Sequence, residues 1–259
     1  MRRKARKTGH LRLVKRIKVR HSMYKRIIWQ LRNCIEVEEH HDGRYGAPGQ
    51  KREKKKKPTK ETMALKNQKN KEAKARRKII QHFGKDDYFS CLSYRVDERP
   101  PDMATAKQHF KKFYTKVREE YRKRGYELKW IRNIEVGTKN AWHIHIIVNR
   151  IPDTDVILSR AWKHGSIHNQ LIYDTGGYAK LAAYITKTPL TDPRLREAAY
   201  NTSHNLPLPE PKKKLIRWKS FHKIRIPKGY YLEKETYFEG INAMGYKYRT
   251  YTFLRFTRD

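Results

Sequence analysis

Two histidines, His143 and His145, stand in an otherwise apolar run that extends from residue 141 to residue 148. Successive side chains of an extended strand point to opposite faces, so both imidazoles share one face and the apolar side chains fill the other. Two imidazole nitrogens held on one face of a buried strand can bind a single metal ion. The alternative is a half-exposed strand whose histidines bind nothing.

An acidic residue, Glu135, lies near the end of a second run with strand character, residues 127–136. Turn-forming residues, 137–140, separate this run from the histidines, so we predict a β-hairpin. Directly opposed residues of an antiparallel pair face the same side, and Glu135 then joins His143 if the loop has an odd length. A carboxylate with two imidazoles suits a divalent cation, Mg²⁺ or Mn²⁺. Otherwise Glu135 is a solvated charge at a strand end.

A predicted helix that begins after Gly176-Gly177 carries a tyrosine and a lysine three residues apart, Tyr184 and Lys187. A phenol is a poor nucleophile until a cation lowers its pKa or a base removes its proton, and a lysine with a bound metal offers such help. We expect four residues of this helix to pack on the sheet, namely Tyr178, Leu181, Ala182 and Ile185. Lys180, Tyr184 and Lys187 share a different face. The alternative is helix surface without chemistry.

The segments around these residues alternate between strand and helix patterns. Residues 88–149 are predicted as strand, long helix and hairpin, which is the first half of a ferredoxin-like or RRM-like sheet. A short helix at 153–162 and a strand at 165–173 follow. We therefore predict an α+β fold in which helices flank an antiparallel β-sheet.

The chain is strongly basic. Its 259 residues contain 62 Lys and Arg against 26 Asp and Glu, a net charge of +36 concentrated in the N-terminal third. This imbalance indicates a polyanionic partner, with nucleic acid favoured over a membrane surface, and binding that weakens steeply with salt. The residues that we predict to contact DNA are Lys54, Lys55, Lys56, Lys57, Arg76, Arg77 and Lys180.

The two ends of the chain are predicted to extend the central domain. We expect a basic, partly ordered N-terminal extension over 1–83, a catalytic domain over 84–190 and a C-terminal extension over 191–259 that packs on it. Residues 1–20 indicate a basic arm, and residues 24–39 are a strand or a helix passing into a strand. Residues 59–83 indicate a charged helix, either an exposed spacer or a DNA contact. The aromatic residues of the tail either stack unpaired bases or form the core of extra strands that cover the sheet.

Several classes of protein are excluded by what the sequence lacks. Its two cysteines, Cys34 and Cys91, support neither a disulfide framework nor a zinc finger. There is no apolar run of membrane-spanning length and no apolar signal-peptide segment after the basic start, so we expect a soluble cytoplasmic protein. No P-loop is present to power DNA unwinding.

Three segments together resemble the motifs of the HUH endonucleases: the strand 88–94, the hairpin from Glu135 to His145, and Tyr184-Ile185-Thr186-Lys187. They are most similar to the rolling-circle replication initiators (Rep proteins) of phages and plasmids from Gram-positive bacteria. Residues 38–49 and 226–231 also look like segments of that group. The resemblance implies a ferredoxin-like HUH core with basic N-terminal and aromatic C-terminal extensions.

This resemblance also implies roles. His143 and His145 would be the HUH pair, Glu135 the third metal ligand, Tyr184 the nucleophile and Lys187 its companion. The family reaction cleaves single-stranded origin DNA, leaves a 5′-phosphotyrosine and a free 3′-hydroxyl primer, and can rejoin the strand. The implied partners are origin DNA and the host helicase and polymerase in the bacterial cytoplasm, with no oligomeric state predicted.

Some of these initiators use two tyrosines one helical turn apart. The nearest helix candidate here is Tyr178, six residues before Tyr184, and six residues turn about 240° around a helix. We therefore predict a single-tyrosine enzyme with Tyr178 in the core. A transposase or relaxase with the same chemistry and a non-enzymatic basic nucleic-acid-binding module are the alternatives.

Overall fold

The computed structural model describes residues 24–41, 59–173, 178–187, 200–216, 221–241 and 247–256. The predicted basic arm and the candidate DNA contacts Lys54, Lys55, Lys56 and Lys57 lie outside these ranges. Within them the fold is α+β, as predicted, with two antiparallel five-stranded sheets and four α-helices. None of the helices in the described ranges is both long enough and apolar enough to cross a membrane.

The first sheet, called here the histidine sheet, carries His143 and His145. Its strands in chain order are β3 Tyr88–Ser93, β4 Trp130–Gly137, β5 Ala141–Val148, β6 Ile167–Leu171 and β7 Tyr200–Thr202. They lie side by side in the order β6-β3-β5-β4-β7, and every neighbouring pair is antiparallel. With the helices α2 Met103–Lys123 and α3 Thr154–Ala161, the chain order is β-α-β-β-α-β. This is the predicted ferredoxin-like arrangement, extended by β7 at one edge.

Helices α2 and α3 cover one face of the histidine sheet. Helix α2 begins at Asp102, whose carboxylate accepts a hydrogen bond from the Thr105 backbone N–H at 2.7 Å, and it ends before Gly125, whose φ of +79° closes the turn. Its buried side chains recur every three or four residues and pack on the apolar face of β5, where each fully buried large side chain contributes about 2 kcal/mol. The packed residues include Phe110, Phe113, Val117, Tyr121, Trp142, Ile144 and Ile146.

Helices α1 Lys60–His82 and α4 Ala179–Thr186 cover the opposite face. The predicted stripe of α4 packs there: Ala182 and Ile185 are buried against Ile131 and Ile147, and Tyr178 and Leu181 lie against the same cluster. The histidine sheet is therefore buried on both faces, and the histidines stand where this second apolar layer ends.

The second sheet joins strands from both ends of the described chain and is called here the terminal sheet. Its strands are β1 Tyr24–Gln30, β2 Cys34–His41, β8 Lys212–Ile216, β9 Tyr230–Ile241 and β10 Lys247–Arg255. They are ordered β8-β1-β2-β10-β9. The ambiguous segment 24–39 is thus a strand hairpin. The strands of the tail pair with it in a separate sheet instead of covering the histidine sheet, because β10 supplies the second neighbour that β2 requires.

Helix α1 packs between elements of both sheets. Thr59 caps its N-terminus, as predicted, by accepting from the Thr62 backbone N–H at 3.2 Å. Ala75 and Ile79 are buried in the layer behind the histidine sheet, while Ile80 packs on Leu31 and Cys34 of the terminal sheet. The interpretation of 59–83 as an exposed spacer or DNA contact is therefore wrong for its C-terminal half. A few apolar residues suffice there because they contact two different partners.

Candidate active site

The β4–β5 hairpin places Glu135 directly opposite His143, as the spacing predicted. Strand pairing ends at Gly137 and Ala141, and Lys139 and Asn140 between them adopt positive φ values of 58° and 57° to close the turn. His145 pairs with Asn133 one step further along, so Glu135, His143 and His145 lie on one face.

The three side chains converge. Their ligand atoms lie within 4.8 Å of one another, a group that can hold a metal ion. Glu135 Oε2 is 3.3 Å from His143 Nε2 and 3.4 Å from His145 Nε2. One carboxylate oxygen and two imidazole nitrogens form a donor set that fits a divalent cation such as Mn²⁺ or Mg²⁺ and leaves positions for water and substrate.

The electrostatics of the group favour a bound cation. Burial alone raises the pKa of Glu135, but hydrogen bonds from the two histidines outweigh it and hold this pKa at about 2. Burial lowers the pKa of His145, yet the neighbouring Cys91 and Glu135 raise it to about 9. In the metal-free protein at neutral pH, Glu135 is therefore ionised and His145 carries a proton that a metal ion would have to displace.

A second layer of contacts orients the two imidazoles. His143 Nδ1 lies 3.1 Å from the Ala141 carbonyl oxygen, to which it donates, and this leaves Nε2 with its lone pair toward the carboxylate. The Phe89 ring stacks on His145 with centroids 5.6 Å apart and an interplanar angle of 9°. Both rings are thus held before any metal binds.

Helix α4 brings Tyr184 to the same point. Its hydroxyl oxygen lies 3.0 Å from His145 Nε2, and its side chain contacts Phe89 edge-on at 5.9 Å. Burial raises the pKa of Tyr184, and the charges of Glu135 and Cys91 add to this effect. The residue is nevertheless 40% exposed, so the phenol is accessible from outside while it remains protonated without a metal.

Asn133 links the metal-binding group to the end of α4. Its Nδ2 donates to the Lys187 carbonyl oxygen at 2.9 Å and to Glu135 Oε1 at 3.4 Å. The sequence analysis identified neither Asn133 nor Phe89. Asn133 had a readable signal, since it lies two residues before Glu135 and must share its face. The position of Phe89 depends on the β3–β5 register, which no local pattern fixes.

The candidate DNA contacts fall into two groups. Lys180 and Lys187 are exposed on α4. Arg76 and Arg77 of α1 instead donate to carboxylates of β2: both bind Glu36, with Arg77 Nε 2.7 Å from Glu36 Oε2, and Arg77 also binds Glu38. Their guanidinium groups are already engaged, and contact of any of these four residues with DNA stays a prediction.

Comparison with known proteins gives one finding. Residues 87–189 match the model of a family of phage and plasmid type described as Replication-associated protein ORF2. This stretch extends from β3 to just beyond α4 and includes all of the candidate site. Searches of curated proteins and of solved structures found no match. The family match supports a replication initiator protein of the Rep type.

Proposed function

We propose that the protein initiates rolling-circle replication by nicking and rejoining single-stranded origin DNA. In this proposal Tyr184 is the nucleophile of an HUH-type endonuclease, and Glu135, His143 and His145 hold a divalent cation, Mg²⁺ or Mn²⁺. The family match favours replication over the transposase or relaxase use of the same chemistry. The partners are then single-stranded origin DNA and the host helicase and polymerase.

The observation that carries the proposal is the 3.0 Å contact between the Tyr184 hydroxyl and His145 Nε2. A tyrosine delivered by a separate helix to the ligand atom of a carboxylate–imidazole group is not required by packing, because the buried stripe of α4 lies on its other side. The arrangement places a nucleophile beside the position where a phosphate would meet the cation.

The residues of the chain divide the work. Tyr184 Oη forms a bond to phosphorus, the bond from phosphorus to the 3′-oxygen breaks, and that oxygen takes a proton. A bound divalent cation would polarise a non-bridging phosphate oxygen and stabilise charge at phosphorus. His145 Nε2 cannot hold a cation and the Tyr184 hydrogen bond with the same lone pair, so the phenol is released to face the phosphate. Lys187 supplies positive charge near the transferring group.

The covalent link preserves the energy of the phosphodiester bond. The free 3′-hydroxyl can therefore attack the phosphotyrosine and reseal the strand without a nucleotide cofactor. Asn133 supports both directions by holding the end of α4 against Glu135, because its amide bridges the Lys187 carbonyl and the carboxylate.

The test is a denaturing gel of the full chain incubated with labelled single-stranded fragments of the DNA element that encodes it, with Mn²⁺ or Mg²⁺. We expect a protein-linked DNA band that is lost in Tyr184→Phe and in His143→Ala. Tyr173→Phe is the matched control, because Tyr173 is also an exposed tyrosine, 65% accessible, and lies outside the group. It should leave the band unchanged.

Three outcomes contradict the proposal in different ways. Cleavage that survives Tyr184→Phe would exclude this nucleophile and move attention to Tyr178. Cleavage that survives chelation would remove the metal. Tight binding without an adduct on any fragment would favour the basic binding module.

A further inference from the structure

A cavity of about 500 Å³ lies beside α2 at the β4–β7 edge of the histidine sheet. Trp130 and Arg132 of β4 line it, and they alternate along the strand with Asn133 and Glu135. Since alternate residues face opposite sides, this cavity opens on the sheet face opposite the candidate active site. Nothing in the proposed chemistry uses it.

The charged side chains of the cavity wall are all basic. Lys107, Lys111 and Arg118 of α2 and Arg132 of β4 contribute to it, and among the described residues no Asp or Glu does. The three α2 residues are separated by four and seven positions, so they form one stripe of the helix. Walls with charge of a single sign concentrate counter-ions and anionic ligands.

This charge distribution belongs to the pocket and not to the whole helix. A second cavity of about 520 Å³ touches another face of α2, and there cations share the wall with Glu119, Glu120 and Asp153. An anion would meet repulsion in that cavity. Only the wall at the β4–β7 edge is free of carboxylates among these two cavities.

Arg132 is the deepest cation of the pocket. It is 4% exposed, and its guanidinium carbon lies 5.2 Å from the centre of the Phe110 ring. Burial lowers the pKa of Arg132 to about 10. Removing a guanidinium from water is costly, and an anionic ligand offsets that cost.

The remaining wall suits a nucleobase. The half-buried Tyr114 ring lies in the same stripe, with the Arg118 guanidinium 5.9 Å from its centre. Asn201, Ser203 and Asn205 add amide and hydroxyl groups from β7 and the segment after it. Cations that follow a phosphate backbone beside an aromatic ring that stacks a base are the means by which proteins bind single strands.

We propose that this pocket binds one unpaired nucleotide of the single-stranded DNA on which the enzyme acts. The base would lie against Tyr114 and the phosphate between Lys111, Arg118 and Arg132. The volume is within the range of small-ligand sites, and a base paired in a duplex cannot enter it. This inference rests on the proposed function, because it assumes that the substrate strand passes around the β7 edge. A cation stands at that edge, where Lys78 Nζ lies 2.6 Å from Thr202 Oγ1.

The test is the binding of a fluorescent single-stranded oligonucleotide to the full chain in EDTA, measured by anisotropy over a range of salt concentrations. Lys111→Ala/Arg118→Ala removes two exposed cations from the pocket. Lys112→Ala/Arg122→Ala is the matched control, since it removes the same two residue types from exposed positions of α2 outside the pocket. We expect the pocket pair to weaken binding about tenfold and to lower the salt slope by about 1.4, and the control pair to change affinity less than about threefold.

Equal losses from the two pairs would overturn the pocket and leave only general attraction. Equal losses on a duplex of the same sequence would overturn the single-strand assignment, and displacement of the oligonucleotide by an equal concentration of a mononucleotide would assign the pocket to free nucleotides. Adduct formation with Mn²⁺ is followed separately. If the wild-type chain forms no adduct, the proposed function fails, and the binding comparison still decides the pocket.

Discussion

Two carboxylates of this protein stand in nearly the same geometric setting and differ in what they can do. Glu39 of β2 lies between Arg26 of β1 and Arg249 of β10, each directly opposite it across the terminal sheet. Glu135 of β4 lies opposite His143 in the histidine sheet. Each carboxylate therefore receives two nitrogen-bearing partners from adjacent strand positions.

The difference lies in the partners. A guanidinium group has no lone pair to offer and keeps its proton throughout the physiological range, so the group at Glu39 can only neutralise charge. Its carboxylate is fully buried, whereas the Glu135 side chain is 13% exposed. Imidazole can exchange its proton for a metal ion. The same strand geometry thus forms a closed structural ion pair in one sheet and an open ligand group in the other.

The largest expected effect separates activity from stability at Glu135. His143→Ala should slow metal-dependent adduct formation several thousandfold, because loss of the cation removes roughly 5 kcal/mol of transition-state stabilisation. The unfolding free energy should change by under about 1 kcal/mol, since this side chain is 23% exposed and lies at the edge of the packed layer. Single-turnover gels and urea titration measure the two quantities.

His168→Ala is the control, an exposed histidine on β6 of the same sheet. It should alter neither quantity. If His143→Ala instead unfolded the protein while the folded fraction kept its rate, the two carboxylate groups would be alike in function.

Arg249→Ala should give the opposite pattern. It leaves the buried Glu39 with Arg26 alone and removes the cation that stacks on Phe221 at 4.5 Å. We expect a loss of about 3 to 4 kcal/mol in unfolding free energy, because one partner of a buried ion group is removed. Per folded molecule, the adduct rate should stay unchanged. Urea titration shows this against Lys247→Ala, an exposed cation of the same strand whose loss should cost under about 0.5 kcal/mol.

The pH dependence of metal binding should distinguish the two groups further. With the pKa of His145 at about 9 and that of Glu135 at about 2, only the imidazole proton competes with a cation near neutrality. Metal affinity should therefore rise about tenfold per pH unit up to pH 9, roughly a hundredfold from pH 7. Titration calorimetry at pH 7 in buffers of different ionisation enthalpy should show release of about one proton. Release of none would contradict the raised pKa.

The same raised pKa fixes the stability of the metal-free protein. His145 binds its proton more tightly in the folded state than in the unfolded state, so its contribution is fully present below pH 6.5 and is lost as the pH rises through about 9. Arginine has no corresponding loss. Urea titrations of Glu135→Gln should lack this decline, because the carboxylate that holds the proton is gone.

These two groups also show how far the sequence reaches. The pairing of Glu135 with His143 could be predicted because strand alternation and the length of one short loop determine it. The buried face of α4 followed from its apolar stripe, but the 3.0 Å contact of Tyr184 with His145 did not, since it depends on where the helix settles on the sheet. Resemblance to a family supplied the roles that spacing alone left open.

The group at Glu39 could not be predicted at all. Its partners stand 13 and 210 residues away, and charged residues on a strand carry no signal of which partner they will meet. The carboxylates of Glu36 and Glu38 similarly engage Arg76 and Arg77, which from sequence alone were predicted as DNA contacts. Long-range strand order decides both arrangements.

The smallest expected effect concerns the rings beside the two groups. Phe89 stacks on His145 as Phe221 lies against Arg249. Phe89→Leu keeps the apolar volume but frees the imidazole and the Tyr184 ring, and a loss of about 1 kcal/mol in orientation should slow adduct formation about fivefold with metal affinity unchanged. Phe221→Leu should cost a similar free energy of unfolding and leave the rate unchanged. A rate loss from Phe221→Leu would mean that the terminal sheet also positions the substrate strand, because Phe221 contacts the cation pair and not the Glu135 group.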